Sequence, residues 1–274
     1  MKKMLSLLTA AALVGAASLP ADAQSKKLRK LGTENEALAW QAVGRLDAEG
    51  VGFCTGTLIA PDLVLTAAHC VYDPRNGEPV KVEGLTFSAG MTNGVAVLER
   101  QVAQVEAHPG YRPGTRINEE NVRHDVALLR LADAIPSHVI SPFVVHSGRI
   151  EKGRVSVVSY GRDRETSLSR QQSCDVIENR NRVVTMNCDV TFGSSGAPVF
   201  THLNGRGRIA SVISGTGVYG GRKAAFGMEL PTVVSDLKQQ MRANTSGPVA
   251  KVRRLSVGSG KSSLGAKFVR PGGS

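Results

Sequence analysis

The sequence predicts an all-β protein made of two barrel-like units of antiparallel strands, closed by one short helix. Three observations carry this reading. Glycine is abundant, at 30 of 274 residues. Runs of strand length rich in Val, Ile and Thr recur and are cut by Gly, Pro, Asn or Asp. Helical periodicity is nearly confined to one segment close to the end of the folded part. With 41% hydrophobic and 21% charged residues the composition is that of a globule, which excludes a chain disordered throughout.

Taken in order, Lys2 and Lys3, the apolar stretch Leu5 to Leu19 and the small residues around Asp22 follow the plan of a secretory signal peptide over residues 1–23. The stretch is too short for a membrane span, so no integral membrane association is expected. Residues 24–36 carry Lys26, Lys27, Arg29 and Lys30 with little apolar content and read as an exposed leader or propeptide. Strand-like runs then occupy Gly52–Ile59, Leu63–Thr66, Val80–Ser88, Val95–Glu106 and Val126–Leu131. A Pro-containing connection over 134–142 follows. Beyond it lie Arg154–Ser159, Arg182–Cys188, Pro198–Thr201, Ile209–Ile213 and Ala225–Leu230. Pro231 stands where a helix starts, and Val233, Val234, Leu237 and Met241 recur at helical spacing behind it. The folded domain is expected over 37–242, with a basic, disordered tail over 243–274.

The net charge of +11 raises a nucleic-acid reading that its location removes. Six cations with no acid among them follow residue 244, and residues 1–23 carry +1, which leaves +4 for residues 24–243. The body is mildly basic, and no nucleic acid is expected as a partner. The tail could attach electrostatically to an anionic envelope surface.

The chemistry sits in three segments. The first runs Gly52-Phe53-Cys54-Thr55-Gly56, crosses a turn at Pro61-Asp62, and ends Thr66-Ala67-Ala68-His69-Cys70. A histidine at a strand end among small residues, next to a cysteine, has the setting of a base. In the second, His124-Asp125-Val126-Ala127-Leu128-Leu129, an acid opens an apolar run and is held partly buried, where an imidazole N–H would satisfy it. The third is Gly193-Ser194-Ser195-Gly196-Ala197-Pro198. In an oxidising compartment four cysteines suggest disulfides, with three pairings open; Cys54 and Cys70 would join two strands across the turn. His108, His124, His138, His146 and His202 show no metal-ligand spacing, and no metal or cofactor is expected.

Together these segments resemble the chymotrypsin-like (trypsin-like) serine proteases, in their bacterial secreted branch, which includes glutamyl endopeptidase-like enzymes. The resemblance covers most of residues 40–242, and the order His, Asp, Ser is that of this family. It implies two six-stranded antiparallel barrels with the active site at their junction. It further implies His69 as base, Asp125 as its orienter and Ser195 as nucleophile, with an oxyanion hole from the N–H groups of Gly193 and Ser195. Ser214, Gly215 and Thr216 match the segment that lines the substrate pocket, and Ser159-Tyr160-Gly161 a strand that opens the second barrel's loop region.

Departures refine the expectation. Where animal enzymes place an Asp that pairs with a newly cut N-terminus, this chain has Ser194, so that switch is not expected. The pocket histidine linked to glutamate selectivity corresponds to Ile213, so glutamate preference is not expected either. Asp189 lies six residues before Ser195, the offset of the acid that selects Lys or Arg in trypsin-type enzymes. Cys188 falls on the other side of it from trypsin's pattern, which keeps a structural role open. Cys54–Cys70 and Cys174–Cys188 are the expected disulfides, each closing a short loop within one barrel. The reading is a secreted or periplasmic, monomeric serine endopeptidase acting on peptides or proteins. A proteolytically inactive binding module and an envelope-associated protein acting through its tail are the alternatives.

Overall fold

The computed structural model describes residues 27–115, 117–202 and 206–244. The signal peptide expected over 1–23, and the expected tail beyond Asn244, lie outside the described residues. Thirteen strands and three α-helices are present among the described residues. A two-residue strand β1 (Arg29–Lys30) and a helix α1 (Glu34–Leu38) come first. The first barrel follows: β2 (Val43–Ala48), β3 (Gly52–Ala60), β4 (Leu63–Thr66), β5 (Leu85–Ala89), β6 (Leu98–Ala107), then a short helix α2 (Glu119–His124) and β7 (Ala127–Leu131). These six strands close antiparallel in the order β2-β3-β4-β7-β6-β5. The second barrel comprises β8 (Gly153–Ser159), β9 (Ser169–Arg180), β10 (Val183–Met186), β11 (Pro198–Thr201), β12 (Arg208–Tyr219) and β13 (Arg222–Met228). Its ring runs β9-β10-β13-β12-β11-β8, and β8 pairs back to β9 to close it.

The strands form where alternate residues can point inward. In β2 Gly44, Leu46 and Ala48 are buried, and Arg45 and Asp47 between them face outward and are joined by an ion pair. Gly44 is required there, because a Cβ would stand 2.4 Å from the Phe87 ring that fills the barrel. The second barrel has its own apolar interior, including Val155, Val157, Met186, Val199 and Ile213. Its other buried face, with Val158, Tyr160, Phe200 and Val212, belongs to the core of the first barrel. One continuous apolar body therefore fixes the two barrels against each other along the seam where the site lies.

The segment after β13 reinforces that seam. Helix α3 (Pro231–Ala243) buries Val233, Val234, Leu237 and Met241, the four positions whose spacing marked it, and packs on β6 and β7 of the first barrel. The connection over 134–142 also follows the first barrel, with Ile135 N–H donating to Pro61 O at 2.7 Å and Phe143 N–H to Leu58 O at 2.9 Å.

Several expected boundaries differ. Strands β2 and β9 lie outside the runs expected from the sequence. β9 went unread because its inward positions include the buried polar residues Ser169, Gln171 and Asn179, which give no apolar alternation. The expected runs Val80–Ser88 and Val95–Glu106 start late, at Leu85 and Leu98, because the residues before them form turns. Over 27–36 the expected exposed leader is partly built in. β1 pairs with β9, Leu31 is buried, and Thr33 and Glu36 form a reciprocal capping box that starts α1.

Candidate active site

β4 ends in a 3-10 turn over Ala68–Val71 that carries His69. The Cys54–Cys70 disulfide ties this turn to β3. Asp125 caps the C-terminus of α2 just before β7 and is buried. Three donors satisfy its carboxylate. His69 N–H donates to Oδ1 at 2.8 Å, His69 Nδ1–H to Oδ2 at 2.7 Å, and Ser214 Oγ to Oδ2 at 2.6 Å. A carboxylate acceptor fixes the proton on Nδ1 and leaves Nε2 as the basic nitrogen of neutral His69. Burial is the largest influence on His69 and acts to lower its pKa. The charge and hydrogen bond of Asp125 together outweigh it, so the pKa stands above the ordinary value.

Ser195 lies on the turn before β11, between Gly193 at φ +86° and Gly196 at φ +77°. Both glycines are forced by close approach as well as by φ. A Cβ on Gly193 would fall 2.3 Å from the Phe53 ring, and one on Gly196 would fall 2.1 Å from Thr55 O. Among the described residues the N–H groups of Gly193 and Ser195 have no protein acceptor. Ser194, fully buried, stabilises the loop from beneath: its Oγ accepts from Thr191 N–H at 3.3 Å, donates to Tyr160 O at 3.2 Å and lies 3.1 Å from Ser159 Oγ. His69, Gly193 and Ser195 face one cleft of about 690 Å³ with Phe53, Tyr72, Tyr111, Arg162 and Phe192. The Arg162 guanidinium stacks 4.5 Å over the Phe192 ring at its rim.

The remaining expected residues divide. Ser214 is drawn to Asp125 through its hydroxyl, beyond its expected place in the pocket wall. Gly215 lies beside Ile117, whose Cδ1 would be 2.8 Å from a Cβ there, and Thr216 is an exposed residue of β12 paired with Ala225. Asp189 lies outside the residues lining the cleft. Its half-exposed carboxylate stands 3.7 Å from Lys223 Nζ, and its N–H donates to Gln171 Oε1 at 2.7 Å. The Asp189 carboxylate therefore stands beside Lys223 and apart from the residues that line the cleft with His69 and Ser195. Cys174 and Cys188 form the second disulfide, between β9 and the chain after β10. Cys54, Cys70 and His69 bring potential metal ligands within 4.8 Å of one another, but the disulfide consumes both thiolates. His108 and His124 stack with ring centroids 4.4 Å apart. Thr55, whose backbone and hydroxyl all reach the Ser195 loop or its supports, carried no signal in the sequence beyond standing next to Cys54.

Two closed six-stranded barrels, with a His–Asp pair from one and a serine loop from the other facing a single cleft, define the class of chymotrypsin-like serine proteases. Residues 54–207 match the family model of the trypsin-like peptidase domain, and the chain belongs to that family. A modular serine protease of Drosophila melanogaster is 39% identical over 99 residues, which is 34% of this chain and 15% of that protein. A glutamyl endopeptidase of Bacillus licheniformis is 25% identical over 211 residues, covering 74% of this chain and 64% of the relative. The chain thus spans less than two thirds of either relative. The solved structure of a Glu endopeptidase in complex with MPD superposes with a TM-score of 0.65 at 18% identity, covering 79% of this chain and 96% of that one, which is a likeness of fold.

Proposed function

We propose that the chain is an exported serine endopeptidase that cleaves peptide bonds through an acyl-enzyme, with Ser195 as nucleophile, His69 as general base and then acid, and Asp125 as the group that orients His69. The observation that carries this reading is the chain of hydrogen bonds from buried Ser214 through buried Asp125 to Nδ1 of half-buried His69, with Ser195 facing the same cleft. Neutral His69 accepts the Ser195 proton at Nε2 as Oγ attacks the substrate carbonyl. The imidazolium so formed is stabilised by Asp125, and it returns the proton to the leaving amine. Negative charge developing on the carbonyl oxygen is met by the N–H groups of Gly193 and Ser195, a contribution worth about 3–4 kcal/mol per donor in the transition state. Water then repeats the cycle on the ester.

The two disulfides and the resemblance of residues 1–23 to a signal peptide support export to an oxidising compartment. A glutamate preference is not carried over from the glutamyl endopeptidase relative, because Ile213 is an apolar core residue of β12. The test is reaction of the purified chain with a fluorophosphonate probe, alongside turnover of peptide amides. Ser195→Ala and His69→Ala each remove nearly all hydrolysis, by about 10⁴- to 10⁶-fold, with unchanged circular dichroism. Comparable turnover by either variant would refute the mechanism.

A further inference from the structure

Thr55 of β3 spends all of its polar groups on the second barrel or on holding itself toward it. Its N–H donates to Ser195 O at 2.8 Å. Its Oγ1 donates to Gly193 O at 2.8 Å and accepts from Tyr160 N–H at 3.1 Å. Its carbonyl accepts from Thr66 Oγ1 at 2.8 Å, which fixes the peptide plane. The side chain is fully buried, so each of these bonds is made out of reach of water. Peptide planes at the oxyanion loop are rigid units. The carbonyls of Gly193 and Ser195 belong to the Gly193–Ser194 and Ser195–Gly196 peptides, which bracket the Ser194–Ser195 peptide that bears the Ser195 N–H and adjoin the Gly193 N–H; holding both restricts the turn that carries the two donors. The loop needs such support, because Gly193 has no side chain to anchor it and holds a φ open only to a permissive residue.

We infer that Thr55 is a positioning residue, whose hydroxyl, reaching from the first barrel, holds the oxyanion loop of the second in its working geometry. The inference rests on the endopeptidase reading and adds to it the residue that preorganises the oxyanion site. Its effect belongs to the transition state, because the negatively charged oxygen demands aligned donors while the neutral ground-state carbonyl demands them far less. Replacing Thr55 by an isosteric valine leaves the Gly193 carbonyl and the Tyr160 N–H unpaired in a buried place, and relieving the first requires the loop to move.

The test compares wild type with Thr55→Val and Thr55→Ser, using a p-nitroanilide peptide chosen from a set varied at the residue before the scissile bond, and a peptide aldehyde of the same sequence. All rates are taken per active site titrated with a fluorophosphonate. Thr55→Val is expected to lower kcat by about tenfold to a hundredfold, less than the full loss of an oxyanion donor, with KM changed less than about twofold. The aldehyde's inhibition constant should rise by the factor lost in kcat/KM. Thr55→Ser, which keeps the hydroxyl, should recover kcat to within about threefold of wild type. A role confined to folding would lower the titre of active sites and leave kcat per site unchanged, which would overturn the inference. If Thr55→Val does not fold, Thr55→Cys with its weak S–H donor replaces it beside Thr55→Ser, and equal kcat for the two would likewise overturn it. A wild-type chain that neither labels nor cleaves would instead refute the endopeptidase reading, and this inference with it.

Discussion

His69 keeps its Nδ1–H on a nearly buried carboxylate, so its charged form is stabilised while its neutral form is the one that can take a proton. Asp125 raises its pKa against the opposing effect of burial. The acid limb of a kcat/KM profile should therefore fall at a midpoint above the ordinary histidine value of about 6.5, activity being lost as pH drops through it. In Asp125→Asn the charge is gone and burial remains, so the midpoint should move below that of wild type while the rate falls by about 10⁴. A wild-type midpoint at or below 6.5 would contradict this account. His69, Asp125 and Ser195, the proposed triad, could be singled out in the sequence because their three segments together resemble one family: small residues and a cysteine around the histidine, an apolar run behind the acid, glycines around the serine. Thr55 could not, since a threonine in a strand is what β-propensity alone would place there. The hydroxyl of Ser214 was read only as far as its neighbourhood, because its bond to Asp125 joins residues 89 apart in sequence.

At the scale of elements, β1 and α1 show how a short polar segment can be structural. Arg29 and Lys30 are exposed, yet their backbone pairs with β9, and Leu31 N–H donates at 2.8 Å to the carbonyl of Leu168, the residue before β9; Leu31 is only 3% exposed. Leu31→Ala should cost about 2–3 kcal/mol. That corresponds to a Tm lower by roughly 4–12 °C in a scanning melt. Activity per titrated site should change little, since Leu31 is not among the residues lining the cleft. A melt indistinguishable from wild type would place this segment outside the stable fold. Strands that form short, nearly continuous apolar runs, such as β4 and β7, were readable from sequence. β9 was not, because Gln171 is buried to accept from Asp189 N–H and Asn179 to bond Ile150 O and Glu229, so tertiary partners rather than hydrophobicity hold those positions inside. The C-terminal helix was readable through its proline start and four apolar positions, although nothing in the sequence identified β6 and β7 as its seat.

For the molecule as a whole, Ser194 bears on how the proposed working state would be reached. Its hydroxyl is engaged by Thr191, Tyr160 and Ser159 inside the second barrel, and a hydroxyl has no charge with which to demand an ammonium partner. Chains beginning at Gln24, or one residue earlier, should give the same active-site titre at neutral pH, and acetylation of the α-amine should leave the burst intact. Loss of the burst on acetylation would establish a terminus-dependent switch and refute this expectation. The division of labour across the seam has a further meaning. His69 and Asp125 come from one barrel, and Ser195 with its loop from the other, with Thr55 crossing between them. A chain that has folded only one barrel thus holds half a proton relay and no anchored loop. On the endopeptidase reading, hydrolysis would in that sense be a certificate of completed folding, because it would need the groups of both barrels in place at once.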